Sequence, residues 1–471
     1  MKHLCWILLL IAFTVIGFSC KGKSQPVSGE PIKEVLQPGV VNQKLSCSGT
    51  EYTYALYLPS KYDSKRNWPV IFAFDPSGNG LFPVNLCKDE ADRRGYILVG
   101  SNDSRNGLPF QNAFDVFNAL LADAKIRFSL DTTRINLMGF SGGARIAGGI
   151  ALTRRDIRAV VGCSAGLPEL GRALEKPFDY LGVAGMSDMN FLEMKLLFDQ
   201  LDGTPLPHFL LVNNGKHAWP ALGGIPEIFD WLDVKAMKDK LIETDQDFLA
   251  RLTTDFHREL VKNRMDNEPL AQEYTCRKAI HYLEGFPQGD TFAKNLTALQ
   301  TKAEYKEAMS RREAILQSEK DFQLQYSGDL YSKTSAWWKK EAAKLENLSK
   351  SATTNEERMM YGRLLGFLSL STYTLVNQTL RSGAWDAADR YNQLYAVIDP
   401  ENAEHAYIAA MLWMQKKNEK EAMKALQEAV RLGFKDSGRM QNDTSFKSLR
   451  EKAGFVELVK KADSNQQQQA N

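Results

Sequence analysis

The pattern of apolar and polar positions divides the chain into two parts with different predicted structures. From about 52 to 231, short runs rich in β-branched and aromatic residues alternate with longer segments whose apolar residues recur at helical spacing. The predicted strands are 52–58, 70–74, 96–99, 135–138, 159–163, 180–184 and 209–212, and helices are predicted at 113–127 and 191–201. Strands that alternate with helices predict a mostly parallel sheet that is covered on both faces.

Strand signals nearly disappear after Val234. Charged and apolar residues mix at a spacing of three to four through Lys461, which predicts an all-α second part. Ala388 and Ala422 are 422 − 388 = 34 residues apart, the period of tetratricopeptide repeats. The region 385–434 resembles such repeats, whereas a non-repeating helical bundle explains 240–380 equally well.

Small residues on the predicted repeat helices support this interpretation. Ala406, Ala409 and Ala410 share one helix face, where small side chains let paired helices approach closely. We expect Trp413 to fill the remaining space on that face. The next helix repeats the pattern with Ala422, Ala425, Leu426 and Ala429.

The first twenty residues have the pattern of an export signal. Met-Lys-His precedes an uncharged apolar run, 4–18, that is too short to span a bilayer comfortably. Gly-Phe-Ser-Cys at 17–20 resembles a bacterial lipobox, although Gly17 stands where that motif usually has an aliphatic residue. The resemblance implies that Cys20 carries a lipid after cleavage and that 21–31, which is polar, tethers the protein. The alternative is a secreted protein without a lipid.

These patterns predict six segments along the chain. We expect a lipoprotein-like signal peptide at 1–20, a tether at 21–43, an α/β domain at 44–236, a helical region at 237–380, tetratricopeptide-like repeats at 381–462 and a disordered tail at 463–471. The expected location is outside the cytoplasm, as a membrane-anchored lipoprotein that faces the periplasm or the cell surface.

Composition and charge exclude several classes of protein. With 471 residues, 44% hydrophobic and 25% charged, the chain matches an ordinary globular protein of several domains. Its net charge of 59 − 57 = +2 lacks the basic excess typical of a nucleic-acid-binding domain. It contains neither Cys-x-x-Cys nor His-Glu-x-x-His, so we expect no metal site and no cofactor.

Four cysteines beyond Cys20 would reach an oxidising compartment after export. They could form disulfides in three complete pairings, and the sequence does not select one. The four are Cys47, Cys87, Cys163 and Cys276.

The strongest chemical signal is Gly-Phe-Ser-Gly-Gly at 139–143. A serine on a tight turn between a strand and a helix needs small neighbours, because the turn brings other side chains against both elements. Gly139 and Gly143 meet that need around Ser141. A predicted buried strand precedes the motif and a predicted helix follows it, as a nucleophile elbow requires.

Only one of the six histidines is well placed to act as the base. His217 follows the predicted strand 209–212 in a loop, where an imidazole can project over the carboxyl edge of the sheet toward Ser141. The alternative is an ordinary surface histidine. The other five lie in the signal peptide, in the helical part or at the start of a strand: His3, His257, His281, His405 and His208.

The acid that orients the imidazole is expected between the serine and the histidine, just after a strand. Asp188 follows the predicted strand 180–184, at 188 − 141 = 47 and 217 − 188 = 29 residues from its partners. Each interval has room for one crossover. Asp202 is the rival, but it precedes a strand and belongs at the opposite edge. Asp188 could instead cap the following helix.

Together these motifs resemble an α/β-hydrolase of the polyhydroxybutyrate-depolymerase and feruloyl-esterase type over residues 44–232. The matching segments are Tyr-Ala-Leu-Tyr-Leu-Pro at 54–59, Asp-Thr-Thr-Arg-Ile at 131–135, Gly-Phe-Ser-Gly-Gly at 139–143 and His-Ala-Trp-Pro at 217–220. The resemblance implies acyl transfer: Ser141 attacks an ester carbonyl, His217 accepts and returns the proton, and Asp188 stabilises the imidazolium.

The loop after the third strand departs from that pattern. Such enzymes usually have His-Gly there, with backbone N–H groups for the oxyanion, whereas this chain has Phe-Asp-Pro-Ser at 74–77. Pro76 has no N–H. We expect Gly142 to supply one donor and Ser77 or Asp75 the second, although a carboxylate on Asp75 would oppose a developing negative charge unless it is turned away or protonated.

Three functions agree with these residues. The first is an exported serine esterase for carboxylic esters, including acyl or aryl groups on carbohydrate, whose repeats bind a protein partner or shape the entrance. The second is a catalytically weak or inactive hydrolase scaffold that acts as a binding module of the cell envelope. A serine peptidase is the third, because the same triad can cleave amides.

Overall fold

The computed structural model describes residues 36–168 and 178–470. The predicted signal peptide, Cys20 and most of the tether lie outside these ranges. Within them, no helix combines the length and the apolar character needed to cross a bilayer.

Eight strands of the described ranges form one sheet in the order β1-β2-β4-β3-β5-β6-β7-β8. The strands β1 and β2 are antiparallel to each other, β2 is antiparallel to β4, and the remaining neighbours are parallel. The strands are β1 Val41–Ser46, β2 Thr53–Tyr57, β3 Trp68–Phe74, β4 Ile97–Ser101, β5 Leu130–Phe140, β6 Ala159–Cys163, β7 Asp179–Gly185 and β8 His208–Asn213.

Helices fill the connections of the sheet and continue to residue 470. The helices among the strands are α1 Leu81–Arg94, α2 Phe110–Arg127, α3 Gly142–Thr153 and α4 Phe191–Leu201. The later helices are α5 Ile225–Lys238, α6 Gln246–Met265, α7 Pro269–Tyr282, α8 Asp290–Gln300, α9 Ala303–Ser332, α10 Ser335–Ser351, α11 Asn355–Arg381, α12 Trp385–Ile398, α13 Ala403–Gln415, α14 Glu419–Arg431, α15 Ser437–Asn442 and α16 Ala453–Ala470.

The predicted fold class is confirmed: a mostly parallel α/β sheet is followed by a helical region. All seven predicted strands are present, with boundaries that differ by a few residues. The strand β1 is absent from the prediction because little of it is buried. Val41–Ser46 is an edge strand in which only Leu45 is buried, so its apolar pattern is weak.

Both faces of the sheet are covered, and the core on one face extends beyond residue 236. Helices α2, α3 and α4 pack on the first face. On the second face α1 and α5 are joined by α6 and α7, which contribute Leu252, Phe256 and Tyr282 to the same buried cluster. The first helices of the predicted helical region therefore share the core of the sheet.

The end of the chain follows the predicted helical pattern with two differences. The helix α13 packs on α14, and Ala406, Ala422 and Ala429 are buried as expected. The aromatic ring that fills this core is Tyr407, stacked 4.4 Å from Phe434 and fully buried, because it lies on the inner face of α13. Trp413 is only half-buried and lies 4.9 Å from the Lys416 ammonium group.

The second difference is in the expected tail. The helix α16 extends through Ala470 and includes most of the segment predicted to be disordered. Glutamine is a good helix former, so this polar run can continue a helix that is already nucleated.

The four cysteines within the described residues are free thiols, and all are buried. They are Cys47, Cys87, Cys163 and Cys276. Burial raises the pKa of the Cys163 thiol well above its ordinary value, so this thiol, close to the end of β6, stays protonated and unreactive.

Candidate active site

Ser141 lies on a strained turn between β5 and α3. Its backbone has φ = 51° and ψ = −118°, a left-handed conformation that is uncommon for a residue with a side chain. The Ser141 N–H donates to the carbonyl oxygen of Cys163 at 2.8 Å, which holds the turn against β6. The hydroxyl is thereby presented at the carboxyl edge of the sheet and is partly exposed.

The two glycines of the motif are required by close backbone contacts. A Cβ atom on Gly139 would lie 2.1 Å from the carbonyl oxygen of Gly143, and one on Gly143 would lie 2.0 Å from that of Phe74. Both distances are far below any normal contact with a carbon atom. The turn can therefore form only with glycine at both positions, which is the physical reason for the spacing seen in the sequence.

His217 is held over the serine by the loop after β8. Its Nε2 lies 3.0 Å from Ser141 Oγ, and its ring lies 4.9 Å from the ring of Phe140. The Nδ1 atom lies 2.9 Å from Oδ1 of Asp188. A carboxylate at Nδ1 favours the tautomer with the proton on Nδ1, so Nε2 is free to accept the serine proton.

Asp188 lies in the loop after β7 and is completely buried. Its Oδ1 also accepts the backbone N–H of Asn190 at 2.8 Å, while Oδ2 has no hydrogen-bond partner in the described part of the chain. The alternative role as a helix cap does not occur, because Asn190 is the N-cap of α4. The rival Asp202 lies beyond α4 and contacts His208 at 3.1 Å, far from this site in the topology.

Both oxygens of the carboxylate in the loop after β3 are engaged by hydrogen-bond donors. The Oδ1 of Asp75 accepts the backbone N–H of Ser77 at 2.9 Å and also its hydroxyl, and Oδ2 accepts the indole N–H of Trp219. The Ser77 N–H is therefore engaged within its own loop. Gly142 is the first residue of α3, and its N–H is one of the donors that a helix N-terminus leaves unpaired.

Asn106 is a neighbour of Gly142 that the motifs did not reveal. Its side-chain oxygen would lie 1.7 Å from a Cβ on Gly142, so its amide contacts the start of α3 directly. Its backbone N–H donates to the carbonyl oxygen of Pro76 at 2.8 Å, which joins this loop to the loop after β3. The residue is exposed, and its side-chain amide carries two N–H donors. No local pattern in the sequence marks such a residue, because it lies in an irregular loop and its contacts are with distant parts of the chain.

A partly exposed ion pair spans the same edge of the sheet. Arg145 on α3 contacts both carboxylate oxygens of Glu193 on α4 at 2.8 and 2.9 Å. Glu193 also accepts the backbone N–H of Gly166 at 3.2 Å. This pair holds the helix that follows Ser141 against the helix that follows Asp188.

No protein-family model and no curated protein matches the sequence. Among solved structures, the chain is similar to an S-formylglutathione hydrolase from Staphylococcus aureus, with 14% identity, 41% of this chain and 97% of that chain covered, and a TM-score of 0.36. It is also similar to esterase B from Lactobacillus rhamnosis, with 16% identity, 44% and 89% coverage and a TM-score of 0.35. A third similar structure is the feruloyl esterase module from Clostridium thermocellum, with 13% identity, 43% and 91% coverage and a TM-score of 0.34.

Proposed function

We propose that this chain is an exported serine esterase that hydrolyses carboxylic esters through an acyl-enzyme. The observation that carries the proposal is the continuous chain of short contacts from Ser141 Oγ through both ring nitrogens of His217 to the buried Asp188. A nucleophile, a base and an orienting acid in this geometry are the minimum apparatus for acyl transfer. Ionisable side chains seldom meet in this arrangement without such a use.

The reaction follows from the positions of these atoms. Ser141 Oγ attacks the ester carbonyl carbon as His217 Nε2 takes the hydroxyl proton, and Asp188 stabilises the imidazolium that results. Collapse of the tetrahedral intermediate breaks the ester C–O bond, and the imidazolium returns its proton to the leaving alkoxide. Water then attacks the acyl-enzyme with the same base, which releases the carboxylic acid and regenerates the serine.

The oxyanion of that intermediate needs donors beside Ser141. We assign the first to the Gly142 N–H, at the N-terminus of α3, where the helix dipole also favours a negative charge. The second donor comes from the loop after β3 or from the loop that contains Asn106, which are joined by a backbone hydrogen bond. Ser77 can supply its N–H only by leaving Asp75, whereas the side-chain amide of Asn106 already lies against Gly142 and carries N–H donors.

Aromatic side chains next to the base support a substrate with an apolar acyl or aryl group, including such groups esterified to carbohydrate. The Trp219 ring lies 5.7 Å from Phe140 and 6.4 Å from Phe82, and Phe82 is 47% exposed. These rings and His217 form one apolar surface beside the nucleophile. Such a surface binds a planar or aliphatic group without a specific hydrogen bond.

Export, anchoring through Cys20 and binding of a protein partner by the helical repeats belong to the same proposal. Their support is the apolar run at 4–18, the lipobox-like segment at 17–20 and the spacing of 34 residues between Ala388 and Ala422. Metabolic labelling with a palmitate analogue tests the anchor. We expect labelling of the wild-type chain and its loss in Cys20→Ala, and an unlabelled wild type would refute lipidation.

The esterase proposal is tested on the chain without residues 1–20. We expect a fluorophosphonate probe to label the wild type, and we expect Ser141→Ala to abolish labelling while the protein stays folded. His217→Ala should also lose labelling, because Ser141 would lack its base. His208→Ala is the matched control, since this histidine lies at the opposite end of β8, and it should label like the wild type.

One observation favours a second candidate, a catalytically weak scaffold that acts as a binding module of the cell envelope. Pro76 has no N–H, and the Ser77 N–H is engaged by Asp75, so the loop after β3 offers no free donor at these two positions. A folded wild-type protein that resists the probe would favour this candidate over the esterase.

A further inference from the structure

A buried ion pair in the helical region reaches the loop that carries Asp188. Arg363 on α11 and Glu319 on α9 are 4% and 0% exposed. The Nε of Arg363 donates to Oε1 of Glu319 at 2.9 Å, and Nη2 donates to Oε2. This two-point contact fixes the plane of the guanidinium and leaves the other terminal nitrogen free to point elsewhere.

That nitrogen points at the acid loop. The Nη1 of Arg363 donates to the backbone carbonyl oxygen of Met186 at 2.6 Å, two residues before Asp188. The guanidinium also lies 5.0 Å from the ring of Phe191, three residues after Asp188. One side chain of the helical region therefore contacts the loop on both sides of the acid.

A second residue of α11 packs against the middle of the loop that carries Asp188. Gly366 lies one helical turn from Arg363 on α11, and a Cβ atom there would lie 3.0 Å from Cβ of Met189. The backbone of α11 thus packs directly on the residue that follows Asp188. Together, Met186, Met189 and Phe191 are all held by this helix.

The carboxylate of Asp188 has few contacts that could fix it independently. Apart from His217, it accepts one hydrogen bond, from the Asn190 N–H within its own loop, and Oδ2 has none in the described ranges. Its orientation consequently depends on the backbone of the loop. Whatever fixes that backbone also fixes the imidazole of His217.

We infer that the Arg363–Glu319 pair positions the acid of the triad, so that the helical region is an integral part of the hydrolase site. Arg363 is a positioning residue that acts through the Met186 carbonyl and the loop. Glu319 acts in turn by orienting and neutralising the guanidinium. The inference rests on the proposed function for its catalytic consequence, although the contact between Asp188 and His217 can be measured without any substrate.

The test uses the full chain after the signal peptide with two kinds of variant. Arg363→Lys keeps a positive charge beside Glu319. The lysine ammonium group is a single compact centre, however, and cannot contact both Glu319 and Met186 as the guanidinium does. The double variant Glu319→Leu with Arg363→Met removes both charges, which avoids an unpaired buried charge and preserves folding. The double variant Glu404→Leu with Arg439→Met is the matched control, because Arg439 pairs with Glu404 within the helical region and has no contact with the acid loop.

The first readout is steady-state hydrolysis of a short-chain ester. A displacement of about 1 Å in a catalytic group can cost about 10²-fold in rate, so we expect kcat to fall about 10- to 100-fold in both Arg363 variants. We expect KM to change little, since no substrate contact is removed. The control should keep the wild-type kcat.

The second readout is the downfield proton resonance of His217 Nδ1–H, which reports the hydrogen bond to Asp188. We expect it to be lost or broadened in both Arg363 variants and retained in the control and in Ser141→Ala. Folded Arg363 variants that keep both this resonance and the wild-type kcat would overturn the inference. A wild type without esterase activity would refute the proposed function alone, because the resonance would still report the positioning of Asp188.

Discussion

The indole N–H of Trp219 donates a hydrogen bond to Oδ2 of Asp75 at 2.8 Å. Together with the Ser77 N–H at Oδ1, this bond engages both oxygens of a carboxylate that is 7% exposed. From the sequence, a carboxylate on Asp75 is expected to oppose the negative charge of an oxyanion. In the structure its two oxygens are engaged by its own loop and by the loop of His217. Trp219 therefore links the histidine loop to the loop after β3.

Removing the indole donor should show how strongly an unrestrained Asp75 carboxylate lowers the rate of hydrolysis. We expect Trp219→Phe to lower kcat about tenfold, because a hydrogen bond to a buried charged group contributes about 1.5–3 kcal/mol and its loss frees Oδ2. Asp75→Asn in the Trp219→Phe background should recover much of the loss, since the amide carries no charge. Steady-state kinetics on a short-chain ester measure both, and a double variant no faster than Trp219→Phe would contradict this role.

The Asn106 side chain is expected to act as an oxyanion donor. We expect Asn106→Ala to lower kcat about 10²-fold with little change in KM, as is typical when one donor of this kind is removed. Asn102→Ala, in the same loop, is a control with the same change of residue type. A wild-type kcat in Asn106→Ala would leave the Ser77 N–H as the second donor.

The glycines around Ser141 should not tolerate even one methyl group. In Gly143→Ala the new Cβ would overlap the backbone of Phe74, so we expect a loss of about 3 kcal/mol or more in the free energy of unfolding. Gly328→Ala is the matched control: Gly328 is exposed on α9 with open space around it, and the change should stabilise by up to about 1 kcal/mol. Chemical denaturation measures both, and equal stabilities would show that the turn is not constrained by these contacts.

His281 should make the protein sensitive to acid. It accepts the indole N–H of Trp231 at 3.1 Å and stacks 4.9 Å from Phe209, and burial lowers the pKa of His281 to about 2. The folded state therefore keeps His281 neutral, while the unfolded state binds a proton below about pH 6.5. The contribution of this residue to stability is present above pH 6.5 and is lost as the pH falls.

Replacing the titrating ring tests this effect. At pH 5 the linkage amounts to up to about 2 kcal/mol for one such group. His281→Gln retains an acceptor for Trp231 but does not titrate, so its free energy of unfolding should fall less than that of the wild type between pH 7 and pH 5. His405→Gln, at a partly exposed position of α13, should follow the wild type. Identical pH profiles for His281→Gln and the wild type would contradict the assignment.

The sequence by itself determined the order of the strands and helices and the three residues of the candidate triad. Apolar periodicity is a local property, and it predicted seven of the eight strands and the helical character of the second part. The carboxyl ends of parallel strands meet at one edge, so Ser141, Asp188 and His217 could be selected from strand positions alone. In the structure His217 lies within hydrogen-bond distance of both Ser141 and Asp188.

Only the tertiary structure decided which distant groups surround those three. One oxygen of Asp75 is engaged by an indole 144 residues away, and the loop of Asp188 is contacted by Arg363, whose hydrogen bond to Met186 spans 177 residues. Asn106 and the edge strand β1 likewise have no periodic signal, because one lies in a loop and the other is mostly exposed. Such contacts depend on how the elements pack and on irregular loops, which local patterns do not encode.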